Sequence, residues 1–405
     1  MASKRHVTTP RGFQYYLLVV ILGGLSAMGP LAIDMYLPSF PAIAREFGVP
    51  ASAVQLTVAV YFIGLAIGQL FYGPISDRIG RKAPLFFGLT LFMGASIGCA
   101  MATSVRSLIV WRGVQALGGC AEMMVARAVV RDRFESRDAM RVLSLLLLVM
   151  GLAPILAPIA GGQLVVTFGW RSIFWALAGV AAVQFLAVSM LLDESLPPER
   201  RRRDSVREVF GVYATLLQDR TYMAQILSGG LIMAGMFAYI AASPFVFIEL
   251  FHVAPERYGF FFGTNAIGII VASQTNVRLA HRANPQTVLR VVLPTVAVAG
   301  LALLISAYSG AGGFPGILVP LFVCVASVGF VLPNTTVLAM APHPRVAGSA
   351  SALLGTMQFL LGAGSAALAG ALGSGSAVPL AVVVAGCGCS ALLIQQTAAT
   401  IGSEN

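Results

Sequence analysis

The chain has 405 residues, 58% of them hydrophobic and 10% charged, with a mean hydropathy of +0.85. That balance excludes a soluble globular domain and asks for a bilayer as solvent. The net charge of +10 is scattered over short loops between apolar runs, with no aromatic-interleaved basic face, so it describes membrane topology and not a nucleic-acid partner.

Twelve runs are long enough to cross a bilayer, which takes roughly 20 residues each. They fall near 15–37, 52–73, 83–103, 107–130, 140–167, 172–192, 222–249, 258–279, 287–308, 314–337, 346–371 and 377–398. The expected fold is an all-α integral membrane protein of twelve transmembrane helices. Lys4, Arg5 and Arg11 precede the first run like a signal peptide, but the run continues from about Tyr15 to Leu37 and eleven others follow, so it reads as a retained helix. Asp34 stands near its outer end, beside Tyr36.

The loop after the second span reads Gly73-Pro74-Ile75-Ser76-Asp77-Arg78-Ile79-Gly80-Arg81-Lys82. An ordinary basic loop would not need glycines and an Asp at these spacings, and the string resembles the loop signature of the major facilitator superfamily. The resemblance implies that Asp77, Arg78 and Arg81 form a charge relay latching the two halves together while the cavity faces outward, with Asp77 able to face the N-terminal end of a helix such as the one starting near Ala347. In the second half, 277–282 keeps Arg278 and Arg282 but has His281 where Asp77 would fall, so the latch is expected on one side only.

Span four runs inward from Arg106, which sets Arg112 roughly 9 Å deep, at a height matching Asp34. An Asp and an Arg facing one cavity can pair, either as a fixed structural ion pair or as a site where a proton or cationic substrate competes for the carboxylate. Arg112, Gly113, Gln115 and Gly118 resemble the superfamily's fourth-helix motif, whose Arg is implicated in proton transfer. Glu122 lies about 80° away in facing and roughly 15 Å deeper. It is a second protonation candidate or a partner of Arg127, and the two readings weigh equally.

In span five, Gly151, Pro154, Pro158, Gly161 and Gly162 recur at about one-turn spacing. They are read as one face on which small residues permit close packing and prolines bend the axis, or as generic small-residue packing. The run GLAPILAPIAGG resembles the fifth-helix motif of the superfamily's proton-coupled exporters.

The long polar insert from Asp193 to Arg220, containing LPPERRRRD, falls at mid-chain and reads as a linker. A shift of 204 residues brings Phe47 and Val49 onto Phe251 and Val253, Ile63-Gly64 onto Ile267-Gly268, and Arg78 onto Arg282. The expected organisation is therefore a six-helix half over 1–192, a linker over 193–220 and a second half over 221–405, with the substrate site between halves. With the N-terminus inside, 21 Lys and Arg are cytoplasmic, Arg127, Arg131, Arg133, Arg137 and Arg141 among them, against Arg45, Arg106, Arg171 and Arg257 outside. The positive-inside rule then sets both termini in the cytoplasm.

Tyr36, Tyr61, Gln115, Tyr239, Asn265, Asn334 and Gln358 are polar-tipped residues within spans. They divide among interface anchors, helix–helix glue and tentative substrate-cavity contacts. Glu249, at the outer end of span seven, is read as structural. His6, His252, His281 and His343 sit at ends or loops, and Cys99, Cys120, Cys324, Cys387 and Cys389 lie in apolar runs without metal-ligand spacing.

Six strings look like the bicyclomycin-resistance branch of the drug:proton antiporters: PLAIDMYLPSFPAIAREFGVP (30–50), RAVVRDRF (127–134), WRSIFWALA (170–178), ESLPPER (194–200), SPFVFIELFHVAPERYGFFF (243–262) and AGSASALLGTMQF (347–359). The resemblance implies a twelve-helix major facilitator fold in a bacterial inner membrane, working as a monomer. It also implies export of small molecules such as bicyclomycin, sulfonamides, phenicols or small amino-acid-like compounds, driven by the proton gradient without a cofactor. A metabolite importer or facilitator of the same fold is the alternative. A polytopic enzyme or an ATP-driven pump lacks its motifs: there is no His/Glu metal pattern, no phosphate loop and no G-x-S-x-G elbow.

Overall fold

The computed structural model describes residues 13–134, 136–201, 206–373 and 375–403. Lys4, Arg5, His6 and Arg11, with Arg202 and Arg203 of the linker, lie outside the described residues. Twelve long helices carry the chain: α1 (Phe13–Asp34), α2 (Ala51–Ile79), α3 (Lys82–Ala100), α4 (Val105–Arg133), α5 (Ser136–Phe168) and α6 (Arg171–Leu191). The others are α7 (Arg220–Pro244), α8 (Pro255–Leu279), α9 (Pro285–Ser309), α10 (Gly313–Met340), α11 (Ala347–Ala371) and α12 (Val378–Ser403).

Local chemistry sets the ends. Ser104 and Ser107 form a reciprocal capping box at the start of α4. Asp219 caps α7 by accepting from the Tyr222 amide, and Asn284 caps α9 through Thr287. α1 stops three residues short of the expected end, because Pro38 and Pro41 divert the chain into a 3₁₀ turn, Leu37–Ser39, and a short helix, Phe40–Phe47. α7 continues past Pro244 as one π-helical turn, Phe245–Leu250. α10 is two segments meeting at Ser327, whose hydroxyl bonds back to the Cys324 carbonyl at 2.6 Å.

Among the described residues, ten helices are apolar enough to cross a membrane on composition alone; α4 and α8 are not. α4 carries Arg112, Glu122 and Arg127, while α8 carries Asn265, Gln274 and Asn276. Both are sheltered by neighbours, α4 by α1, α2 and α3, and α8 by α5 and α10. Polar groups at membrane depth are tolerated in that position.

The packing repeats after six helices. α2 on α4, α3 on α4, α3 on α6 and α1 on α5 recur as α8 on α10, α9 on α10, α9 on α12 and α7 on α11. Two extensive contacts join the halves, α2 with α11 and α5 with α8, and each is the other's counterpart under the same shift. The result is the twelve-helix fold of two pseudo-symmetric six-helix halves.

Candidate functional site in the seam between the halves

Arg112 of α4 is fully buried, with its guanidinium 4.7 Å from the Tyr36 ring centroid and 4.2 Å from that of Tyr61. Only a planar, weakly hydrated cation fits between two aromatic faces, and such contacts contribute about 2 kcal/mol when desolvated. Nη1 donates to the Ala32 carbonyl at 3.0 Å and to Gln115 Oε1 at 2.6 Å; Gln115 Nε2 in turn donates to Ser96 Oγ at 2.7 Å. Tyr36 shares a hydrogen bond with Thr57 at 3.1 Å. Nε and Nη2 of Arg112 and the Tyr61 hydroxyl have no partner.

Asp34 does not pair with Arg112. Matching depth places two residues at one height, but Arg112 Nη1 is taken by the α1 carbonyl at Ala32 and by Gln115, and no Asp34 oxygen bonds the guanidinium among the described residues. Asp34, 5% exposed, instead lies within electrostatic reach of Tyr239 and Tyr258 in the other half. There Asn265 donates to Tyr239 Oη at 2.9 Å, Ser243 and Tyr258 share a bond of 2.8 Å, and Tyr239 stacks on Phe262. Glu122 does not pair with Arg127 either: both of its carboxyl oxygens are buried without a partner. Its electrostatic neighbours include Tyr61 and Tyr72.

The seven tentative cavity residues therefore separate. Tyr36, Tyr61 and Gln115 gather around Arg112, and Tyr239 and Asn265 sit with Asp34. Asn334 leaves the group, binding Asn276 of α8 at 2.7 Å, and Gln358 is half-buried on α11. Thr57, Ser96, Ser243 and Tyr258 belong to the site and were not expected there.

In the α2–α3 loop the Asp77 and Arg81 of the expected relay bond each other. Arg81 donates from Nε to Asp132 at 2.8 Å and from Nη1 to Asp77 at 2.6 Å and Ser76 at 2.9 Å. Glu194 accepts the backbone amides of Arg81 at 2.8 Å, Lys82 at 3.1 Å and Leu196 at 3.0 Å, capping α3. Burial works against the Glu194 charge, but these donors and the Arg201 cation hold its carboxyl below the usual range. Gly80, at φ +102°, lets the chain turn against Glu194. Gly73 is open on its Cβ side, Arg78 is exposed, and Lys82 lies over the Phe86 ring. Every partner of Arg81 is in the first half or the linker next to it, so in this conformation the charges do not bridge the halves. Asp132 and Glu194 lie inside the strings RAVVRDRF and ESLPPER, the one sequence signal that could have found them.

α5 runs unbroken through Pro154 and Pro158. Its glycines do not share one face, because successive residues point 100° apart. Gly161 closes on the Met35 carbonyl of the turn after α1, whereas Gly162 and Gly151 face Pro255 and Ile270 of α8. α8 answers with Gly259 and Gly263 against Ile159 and Ile155.

Two six-helix halves meeting at a seam that holds buried ionisable groups define a membrane transporter. The profile of the Major Facilitator Superfamily matches residues 22–367, and the chain belongs to that superfamily. It is 36% identical over 377 residues to "Uncharacterized MFS-type transporter YdgK" of Bacillus subtilis (strain 168), covering 93% of each chain. It is 30% identical over 378 residues to "Bicyclomycin resistance protein homolog" of Haemophilus influenzae, covering 92% of this chain and 93% of that one. The crystal structure of a D-xylose-proton symporter superposes with a TM-score of 0.73 at 15% identity, over 95% and 97% of the two chains. At that identity the likeness concerns the fold.

Proposed function

We propose that this transporter is a proton-driven antiporter exporting small molecules across a bacterial inner membrane, with both termini and the basic loops in the cytoplasm. The observation that carries the reading is the pair of buried carboxyls, Asp34 at the seam and Glu122 on α4, neither in an ion pair among the described residues. An uncompensated charge at membrane depth costs about 3 kcal/mol even on the most lenient scales, so a fold retains one for use. Asp34 lies in the first half within electrostatic reach of Tyr239 and Tyr258 in the second, which makes its protonation state sensitive to the seam opening. Arg112 holds the α1 end through Ala32, and residues 1–192 and 221–405 rock as units about the α2–α11 and α5–α8 contacts. Export rather than import is supported by the α5 motif and by the resistance in the name of the Haemophilus relative.

The test uses reconstituted vesicles with an imposed proton gradient and a panel of bicyclomycin, a sulfonamide and a phenicol. The wild type is expected to move at least one compound against the direction of proton flow, and Asp34→Asn to lose the gradient-driven component while keeping passive exchange. Uptake in the same direction as protons overturns antiport; unimpaired coupling in Asp34→Asn removes Asp34 from the mechanism.

A further inference from the structure

Counted by position, Arg127 is one more cation of the basic face. The structure sets it apart. It lies six residues before the end of α4, roughly 9 Å in at 1.5 Å per residue. Around it α4 is closed: Ala121, Glu122, Val125, Ala126, Val129 and Val130 are each at 0% and Ala128 at 5% exposure, yet Arg127 is exposed. α4 is covered by α1, α2 and α3 and also touches α5, so Arg127 opens on the α4–α5 side, on the same face as the partly exposed Met124 and the exposed Arg131.

The guanidinium reaches α5, where its hydrogen-bond partner among the described residues is the Met150 thioether at 3.8 Å. A thioether is a poor acceptor and carries no charge. Among the described residues, the ionisable groups within its electrostatic reach are Arg131, one turn nearer the basic face, and Cys120, two turns deeper, with no carboxylate among them. Glu122, five residues away, points elsewhere with both oxygens unpartnered. Among the described residues Arg127 is thus an exposed cation without a carboxylate partner, on the basic side of α4, next to Met124 and Met150. Methionines supply deformable apolar walls, suited to ligands of variable shape.

We propose that Arg127 is the binding handle for an anionic group, a carboxylate or comparable oxyanion, borne by a small molecule entering from the basic face. The proposal rests on the export reading for the direction of entry, whereas the site itself needs only the geometry. Arg131 attracts the anion to the mouth, Arg127 receives it by a charge-assisted bond, and the methionines accommodate its apolar part.

The experiment is equilibrium calorimetry on the purified full-length protein in neutral detergent, with no proton gradient, using matched acid and amide probes: benzoate against benzamide and nicotinate against nicotinamide. At least one acid is expected to bind about tenfold or more tighter than its amide, as one charged hydrogen bond provides. Arg127→Gln is expected to abolish that preference and Arg127→Lys to keep part of it. Absence of any acid preference in the wild type overturns the proposal, as does a preference that survives Arg127→Gln in folded protein. Repeating the titration in nanodiscs of phosphatidylcholine and of phosphatidylglycerol separates sources. Loss of benzoate binding in phosphatidylglycerol alone would assign the site to a lipid headgroup and overturn the small-molecule reading. Because no gradient is applied, failure here leaves antiport standing, and failure of antiport leaves this site standing.

Discussion

The two ends of the seam are built from different chemistry. At the Asp34 end the halves touch through backbone and rings: Gly162 lies against the Pro255 carbonyl of α8, and Phe40 meets Phe245 with ring centroids 6.0 Å apart. At the basic face the polar groups are dense, but Arg81, Asp77, Asp132 and Glu194 satisfy one another within the first half and the linker. Backbone-to-glycine and ring contacts part and re-form without leaving buried charges unpaired. An ion network that loses one member does leave them. On the rocking motion proposed above, this contrast puts the parting of the halves at the glycine end and rigidity at the loop.

The largest expected effect breaks the first of these. In Gly162→Leu, even the first side-chain carbon would overlap the Pro255 carbonyl and stand 3.0 Å from Glu256 Cα. Both obstacles are backbone, so α5 and α8 must separate at this end. Transport in vesicles is expected to fall by more than about tenfold, as when reacting groups cannot reach their geometry. Cysteines placed along 151–162 should become labelled from the face opposite the basic loops. Full activity in Gly162→Leu would mean that this contact does not have to close.

The second prediction tests rigidity. Arg81→Gln removes hydrogen bonds to Asp77 and Asp132 while leaving the backbone cap by Glu194 intact. The expected loss of stability is about 2 kcal/mol, less than for a fully buried pair because Asp77 is 37% exposed. It is read as a lower melting temperature in detergent. If the loop instead latched the halves, the variant would shift the balance between conformations at little cost to melting.

Much of this contrast was out of reach of the sequence. The twelve helices were legible because a bilayer demands long apolar runs with every backbone group satisfied inside the run. The ionisable residues were legible because they interrupt those runs. Their partners were not. Rise per residue gives height, so Asp34 and Arg112 looked like a pair; which helix each one faces depends on how twelve helices pack, and Tyr239 and Tyr258 come from more than 200 positions away. Glu194 sits 113 residues from Arg81 and reaches it only through the folded linker. Gly161 and Gly162 looked like one face, yet one serves α1 and the other α8.

The smallest effect sharpens the rigid end. Glu194→Gln keeps the shape that fills the turn at Gly80 but gives up the charge facing the first amides of α3, a cap contribution of about 1 kcal/mol. The folded-state carboxyl is held below its ordinary value of 4.5. Its contribution is therefore fully present above about that pH and is lost as pH falls through the lower folded value. The melting-temperature gap between wild type and Glu194→Gln should be constant from neutral pH down to about 4.5 and narrow below it. A gap that widened on acidification would mean that Glu194 is stabilised as the acid, and that the α3 cap is not what it provides.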